Sequence, residues 1–150
     1  AMGHTEADQI YSIIPDRGRY YVVYDGTVIN APAVDNSYKW AGGGLLSTSN
    51  DLVRFGFAHL DTQFLKSETI ELLWTSQKTT SGEETGYGIG WKQGTDESGR
   101  SWIGHGGGSV GGSTVFRIYP ESGVVVAFIS NLSGQKWNDL PGNIAALFLE

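Results

Sequence analysis

Residues 103–120 read IGHGGGSVGGSTVFRIYP, and the fold turns on whether the residues behind the glycines are helix or strand. Three enzyme signatures overlap here. His105-Gly106-Gly107-Gly108 matches the HGGG of lipase oxyanion loops. Gly107-Gly108-Ser109-Val110-Gly111 fits the G-x-S-x-G nucleophile elbow, and residues 106–111 fit the G-x-G-x-x-G dinucleotide fingerprint. A dinucleotide site needs a helix directly behind the glycines, so that the pyrophosphate sits on its N-terminus. The residues there are Ser113-Thr114-Val115-Phe116, which read as strand. The elbow also requires a helix behind its serine, and an oxyanion loop and an elbow belong to different strand ends. One segment cannot be both. A purely structural role, with glycines admitting a close neighbour and His105 an ordinary histidine, remains a third option on this segment alone.

Outward from this stretch, the last third of the chain has a period of two. Residues 101–105 and 113–119 read as strands, residues 120–123 (Pro-Glu-Ser-Gly) as a tight turn, and residues 124–129 as a continuously apolar strand buried on both faces. Together they predict an antiparallel meander. Residues 86–91 alternate glycine with Tyr87, Ile89 and Trp91, which predicts a further strand with one bare face; residues 94–99 then read as turn. Upstream, Asp25-Gly26 closes a hairpin between residues 19–24 and 27–29. Thr48 caps a helix, with Asp51 placed to answer as in a capping box, and Val53, Phe57 and Leu60, widened by Leu52 and Phe55, form the expected apolar face. Ser67 is the expected cap of a second short helix, and a closing helix starts around Pro141. The predicted class is α+β, an antiparallel sheet flanked by helices, in a single or partial domain covering residues 1–150.

Composition limits the partners. The 150 residues carry a formal charge of −6 with no basic cluster, which argues against nucleic acid or an anionic membrane surface. No run of eighteen apolar residues occurs, so no membrane span is expected. The absence of cysteine rules out disulfides and thiolate metal sites and leaves the compartment open. The 22 glycines cluster at 42–44, 86–90 and 104–112, inside patterned segments, as close backbone approaches require.

Four stretches in order carry a resemblance: Ala41-Gly42-Gly43-Gly44-Leu45-Leu46-Ser47-Thr48 with Asp51-Leu52-Val53-Arg54-Phe55, then Tyr87-Gly88-Ile89-Gly90-Trp91, then Gly104-His105-Gly106-Gly107, then Asn131-Leu132. The chain resembles the C-terminal part of the serine β-lactamase, penicillin-binding protein and esterase superfamily, in particular its class C-like members. The resemblance implies the C-terminal portion of a β-lactamase/transpeptidase-like fold, with His105-Gly106-Gly107 in the place of the third active-site motif, K-T-G or H-x-G. That motif lies on an edge strand lining the cleft. His105 would relay a proton or position the substrate, Gly106 and Gly107 would let it approach the backbone, and the Gly108 N–H would serve the oxyanion hole. The substrate would be a small ester, β-lactam or peptide. Neither a metal nor an organic cofactor is implied. Replacing Gly107 by Val is expected to cost both activity and stability.

One departure shapes the expectation. The family's nucleophile is the serine of S-x-x-K, followed by Y-x-N or S-x-N, and both precede the histidine motif. Neither Tyr-x-Asn nor Ser-x-Asn occurs, and the single S-x-x-K, Ser133-Gly134-Gln135-Lys136, comes after the histidine. The chain therefore reads as a C-terminal fragment of a serine hydrolase, inactive alone and completed by an N-terminal half. The rival reading is a non-catalytic binding or assembly module that self-associates or pairs with such a half.

Overall fold

The computed structural model describes residues 2–149 and is built around a four-stranded antiparallel sheet. In chain order the elements are β1 (Glu6–Ala7), β2 (Tyr21–Tyr24), β3 (Thr27–Asn30), a 3-10 turn (Ser37–Gly42), β4 (Leu45–Leu46), α1 (Ser49–Leu60), α2 (Ser67–Trp74), β5 (Lys92–Thr95), β6 (Ser101–Ser109), β7 (Gly112–Tyr119), β8 (Val124–Ser130) and α3 (Leu140–Ala146). The sheet order β5-β6-β7-β8 is the expected meander. Two small pairs accompany it, β1 with β4 and β2 with β3. Asp25 and Gly26 both take positive φ, 46° and 72°, in the hairpin between β2 and β3, as a two-residue Asp-Gly turn requires. The β6–β7 pairing runs from Ile103↔Ile118 to Ser109↔Gly112, so Gly104 to Gly108 are strand. Strand after the last glycine removes both the dinucleotide reading and the nucleophile elbow.

Helix α1 packs on β7 and β8 through most of the expected face, but not through Phe57. Leu52, Phe55 and Leu60 join the cluster around Trp91, Phe116 and Ile118, whereas Phe57 is 50% exposed. The cause is Gly56. A β-carbon there would stand 2.5 Å from Val125 Cγ1 and 3.1 Å from Phe116 Cζ, so the helix rests on the sheet at its one residue without a side chain. His59, one turn on, is buried in the same direction and stacks edge-on against Phe55 and Trp91. Helix α3 covers β8 at the other end, with Ala145 against Tyr119 and Val126.

The cap of α1 is half as predicted. Thr48 Oγ1 accepts from the Asp51 N–H at 3.1 Å, but the Asp51 carboxylate does not answer it. Instead it accepts from the N–H groups of Gly3 (3.3 Å) and His4 (2.7 Å) and from Thr5 Oγ1 (3.0 Å), fastening the N-terminal segment to the helix. The cap position of α2 is Lys66 rather than Ser67, and it makes no side-chain bond. Residues 87–91 are not a strand either. Gly86 and Gly90 take φ of 67° and 78°, Gly88 N–H turns back to Trp91 O at 2.7 Å, and Gly88 presses on Leu73 O where a β-carbon would not fit. The alternating glycines make a folded loop that delivers Trp91 into the core, and the strand begins at Lys92 and takes in Gly94 and Thr95, the start of the segment expected to be turn.

Candidate active site

That loop creates the site. Because β5 starts at Lys92, opposite Gly104, it covers only the first part of β6, and residues 105–109 keep a partner on the β7 side alone. The direction of the backbone groups is fixed by one bond. Gln93 N–H points away from β6, to Gly86 O at 2.9 Å, so Lys92 and its partner Gly104 face each other. By the alternation of an antiparallel ladder, Gly106 and Gly108 then also turn their N–H and C=O groups to the open side. The expected edge strand is thus an edge only along the glycines. A β-carbon on Gly107 would meet nothing within 4 Å, so this position crowds no neighbouring strand and the stability cost expected for Gly107→Val is corrected. The crowded glycine is Gly104, where an added β-carbon would strike Phe116 O.

His105 stands exposed where β5 leaves β6. Its Nδ1 lies 2.7 Å from Gly106 O, and its Nε2 lies 2.7 Å from Tyr87 Oη. A carbonyl only accepts, so Nδ1 carries a proton; in the neutral ring Nε2 then accepts from the Tyr87 hydroxyl. The rings meet edge-on, centroids 5.6 Å apart and planes at 89°. Tyr87 is the partner that sequence reasoning misses. The sequence offers it as part of an alternating strand pattern and of a stretch that carries the resemblance, neither of which pairs it with His105, and nothing periodic links positions eighteen apart across a glycine loop.

Positions 105, 107 and 109 share one strand face, with the side chains of His105 and Ser109 flanking the bare Gly107. At the far end of that row, Lys39 Nζ approaches Ser109 Oγ at 3.4 Å and donates to Asn36 Oδ1 at 2.8 Å. Asn36 is buried and reaches Asp8, which is 2% exposed and ion-paired with Arg17 at 2.5 Å. Lys39 sits in the 3-10 turn just before Trp40, whose backbone is strained at φ 46°, ψ −128°. That strain is held by the N–H groups of Gly43 and Gly44 on Trp40 O at 3.2 and 2.7 Å, and Gly44 is packed too tightly on Asn36 O and Trp40 N to carry a side chain. The indole of Trp40 is 74% exposed and Tyr38 72%; both border a hollow of about 320 Å³ shared with Ile10 and Tyr11. The larger cavity, about 520 Å³ between the end of α1, α2 and Gln93, lies elsewhere and includes none of these residues.

The two serines with nucleophile-like surroundings in sequence are engaged structurally. Ser133 Oγ accepts from Gly111 N–H at 2.6 Å and donates to Ser109 O at 3.1 Å, closing the β6–β7 turn. Ser109 Oγ has Lys39 as its side-chain partner and no histidine. Among the described residues no group of three or more His, Cys, Asp or Glu is placed to hold a metal ion, and no helix is long and apolar enough to cross a membrane.

A family model described as Beta-lactamase matches residues 2–148. The chain belongs to the beta-lactamase family. Among curated relatives, this beta-lactamase-family chain is 33% identical over 175 residues to the serine beta-lactamase-like protein LACTB, mitochondrial, of Homo sapiens, and 34% identical to that of Bos taurus. Each alignment covers 91% of the chain and 32% of the relative, so the chain spans about a third of these relatives' length. Among solved structures, a penicillin-binding protein from Bacillus halodurans superposes with a TM-score of 0.75 at 20% identity, covering 97% of this chain and 45% of that one. A D-stereospecific amidohydrolase from Streptomyces sp. gives 0.74 at 24%, covering 97% and 43%. The fold is therefore that of the β-lactamases and penicillin-binding proteins, and the chain is a member of their serine hydrolase superfamily. An octameric penicillin-binding protein homologue from Pyrococcus abyssi shares the fold as well, with a TM-score of 0.72 at 24% identity over 97% of this chain and 34% of that one.

Proposed function

We propose that these 150 residues supply the histidine-and-glycine side of an acyl-transfer site whose serine nucleophile lies on a preceding segment of a longer hydrolase. The observation that carries this reading is the Tyr87–His105 pair, 2.7 Å apart, set at the mouth of an open glycine edge. In the complete protein the serine oxygen bonds to the carbonyl carbon of an ester, amide or β-lactam while its proton is taken by the lysine of S-x-x-K, and the bond to the leaving group breaks as that proton is passed on to it through Tyr87 and His105. Water then releases the acyl group. The Gly108 N–H, directed to the open side, stabilises the oxyanion while Gly106 and Gly107 keep the floor bare. The engagement of Ser109 and Ser133 in structural bonds supports a nucleophile from outside.

The test is reconstitution. Supplying an N-terminal segment that carries the family's S-x-x-K to the purified chain should start hydrolysis of a chromogenic ester or cephalosporin, and His105→Ala should remove it. A well-folded complex of the two pieces that hydrolyses neither compound sinks the proposal. A second reading, a non-catalytic module that pairs with another half or with itself, is favoured by one observation: the β2–β3 hairpin leaves the cross-strand pair Val23 and Val28 exposed on one face and Tyr24 and Ile29 exposed on the other, apolar side chains of the kind partners cover. Association without turnover is its signature.

A further inference from the structure

We infer that the cavity between the end of α1, α2 and Gln93 is a second binding site, which takes a small amine carried on an apolar body. It shares no residue with the acyl-transfer site, and the inference does not rest on that reading. The cavity holds about 520 Å³, room for an aromatic ring with a short side arm. Leu60, Leu65, Ile70 and Trp74 give it apolar wall, which favours an apolar body held by a few polar groups.

Those polar groups define the ligand further. His59, 6% exposed, stands in the wall. Its ring is fixed by Phe55, Phe64 and Trp91, with centroids 4.4, 5.2 and 4.8 Å away. Nδ1 lies 2.8 Å from Phe55 O, one turn back in the helix. A carbonyl only accepts, so Nδ1 carries the proton, and in the neutral ring Nε2 offers a lone pair. Among the described residues Nε2 has no hydrogen-bond partner, whereas polar groups of buried side chains ordinarily have one. Asp61 and Glu71 add two exposed carboxylates to the lining. Asp61 accepts from the Gln63 N–H at 2.9 Å, and neither carboxylate has a cationic partner among the described residues. Thr75 and Gln93 direct donors to backbone carbonyls, Glu71 O and Trp74 O, and the Trp74 Nε1–H is buried in the wall. No lysine or arginine lines the cavity. A ligand therefore meets a fixed lone pair and two negative charges. An ammonium, with positive charge and three donors, complements both, and an anion is repelled.

Direct binding tests this without requiring turnover. Phenethylamine, its uncharged counterpart phenethyl alcohol and the anion phenylacetate are titrated into the 150-residue chain and followed by calorimetry and by NMR of the histidine ring nitrogens. The amine should bind at least about tenfold more tightly than the alcohol, the value of one hydrogen bond to a charged group, and phenylacetate should bind more weakly than either. The amine should also move the Nε2 resonance of His59. Asp61→Asn combined with Glu71→Gln should abolish the preference for the amine over the alcohol, and Ile70→Trp, which fills the cavity, should weaken all binding, with circular dichroism confirming that both variants fold. Equal affinity for amine and alcohol, or a preference that survives in the double variant, overturns the inference. So does amine binding that leaves the His59 Nε2 resonance in place or persists undiminished in folded Ile70→Trp, and so does the absence of amine binding.

Discussion

A phenol hydroxyl 2.7 Å from an imidazole nitrogen makes a proton available to either group, so substitutions at the two positions should have different consequences. Tyr87→Phe keeps the ring contact and removes only the hydroxyl, and should lower kcat/KM of the complete hydrolase by about tenfold or more. His105→Ala removes the acid–base group and should cost about 10²–10³-fold. Both residues are exposed and bury little, so melting temperature should barely move; a large thermal loss with unchanged kinetics would make the pair structural. Two carboxylates elsewhere set the response to acid. Asp51 is held below its ordinary value of 3.8, first by the His4 N–H, against the opposing effect of burial and with help from Thr5 and Gly3. For Asp96, burial pushes upward, but the backbone N–H and guanidinium of Arg100 and the N–H of Ser98 outweigh it, and its carboxyl also lies below 3.8. A carboxylate whose value falls on folding contributes stability that is complete above the unfolded value and is lost as pH drops through the folded one. The melting temperature should therefore be level from pH 7 to about 5 and decline below about 4, and Asp51→Asn should flatten that acid limb. A chain whose melting point is unchanged at pH 3 would refute the assignment.

At the scale of elements, the glycines divide into those that admit a neighbour and those that leave room for a ligand. Gly56→Val drives a branched side chain into Val125 and Phe116 and should cost about 1–3 kcal/mol or more, whereas Gly107→Val, with open space around it, should change stability by less than about 0.5 kcal/mol and act only on substrate binding. Chemical denaturation of the two variants decides this. The same distinction explains what is legible in the sequence. The meander and the Asp25-Gly26 hairpin are readable because a period of two and a turn with two positive φ angles are local properties. Leu52, Phe55 and Leu60 of α1 are legible in the same way, but the centre of its buried face is not, because hydrophobic spacing counts side chains and the closest contact is made by Gly56, which has none. Residues 86–91 mimic a strand because alternating glycine resembles alternating burial, while the positive φ angles of Gly86 and Gly90 bend the chain into a loop. His105 and its glycines can be picked out from their motif. Tyr87 and Lys39 cannot, since each reaches β6 across a loop whose path only tertiary packing determines.

At the scale of the whole molecule, the chain holds a four-stranded sheet with its covering helices, but no serine beside a histidine base among the described residues. A fluorophosphonate should leave its intact mass unchanged, because labelling requires a hydroxyl activated by a neighbouring base and an oxyanion hole. A stoichiometric adduct on Ser109 or Ser133 would place the nucleophile inside these residues and overturn the proposal of a separate segment. The order of the sheet carries a further consequence, for the timing of assembly. Strands β6, β7 and β8 succeed one another with only residues 110–111 and 120–123 between them, so their ladders form at small sequence separation. The bonds from Gly3, His4 and Thr5 to Asp51, and from Asn131 to Arg19, span 46 to 112 positions and cannot close until much of the chain has been ordered. Local contacts precede distant ones when loop closure limits the rate. Destabilising substitutions in β7 should therefore slow refolding, while Thr5→Ala should chiefly hasten unfolding. The meander is then the early scaffold, and the N-terminal segment and the β2–β3 hairpin are the last parts to dock and the first to let go.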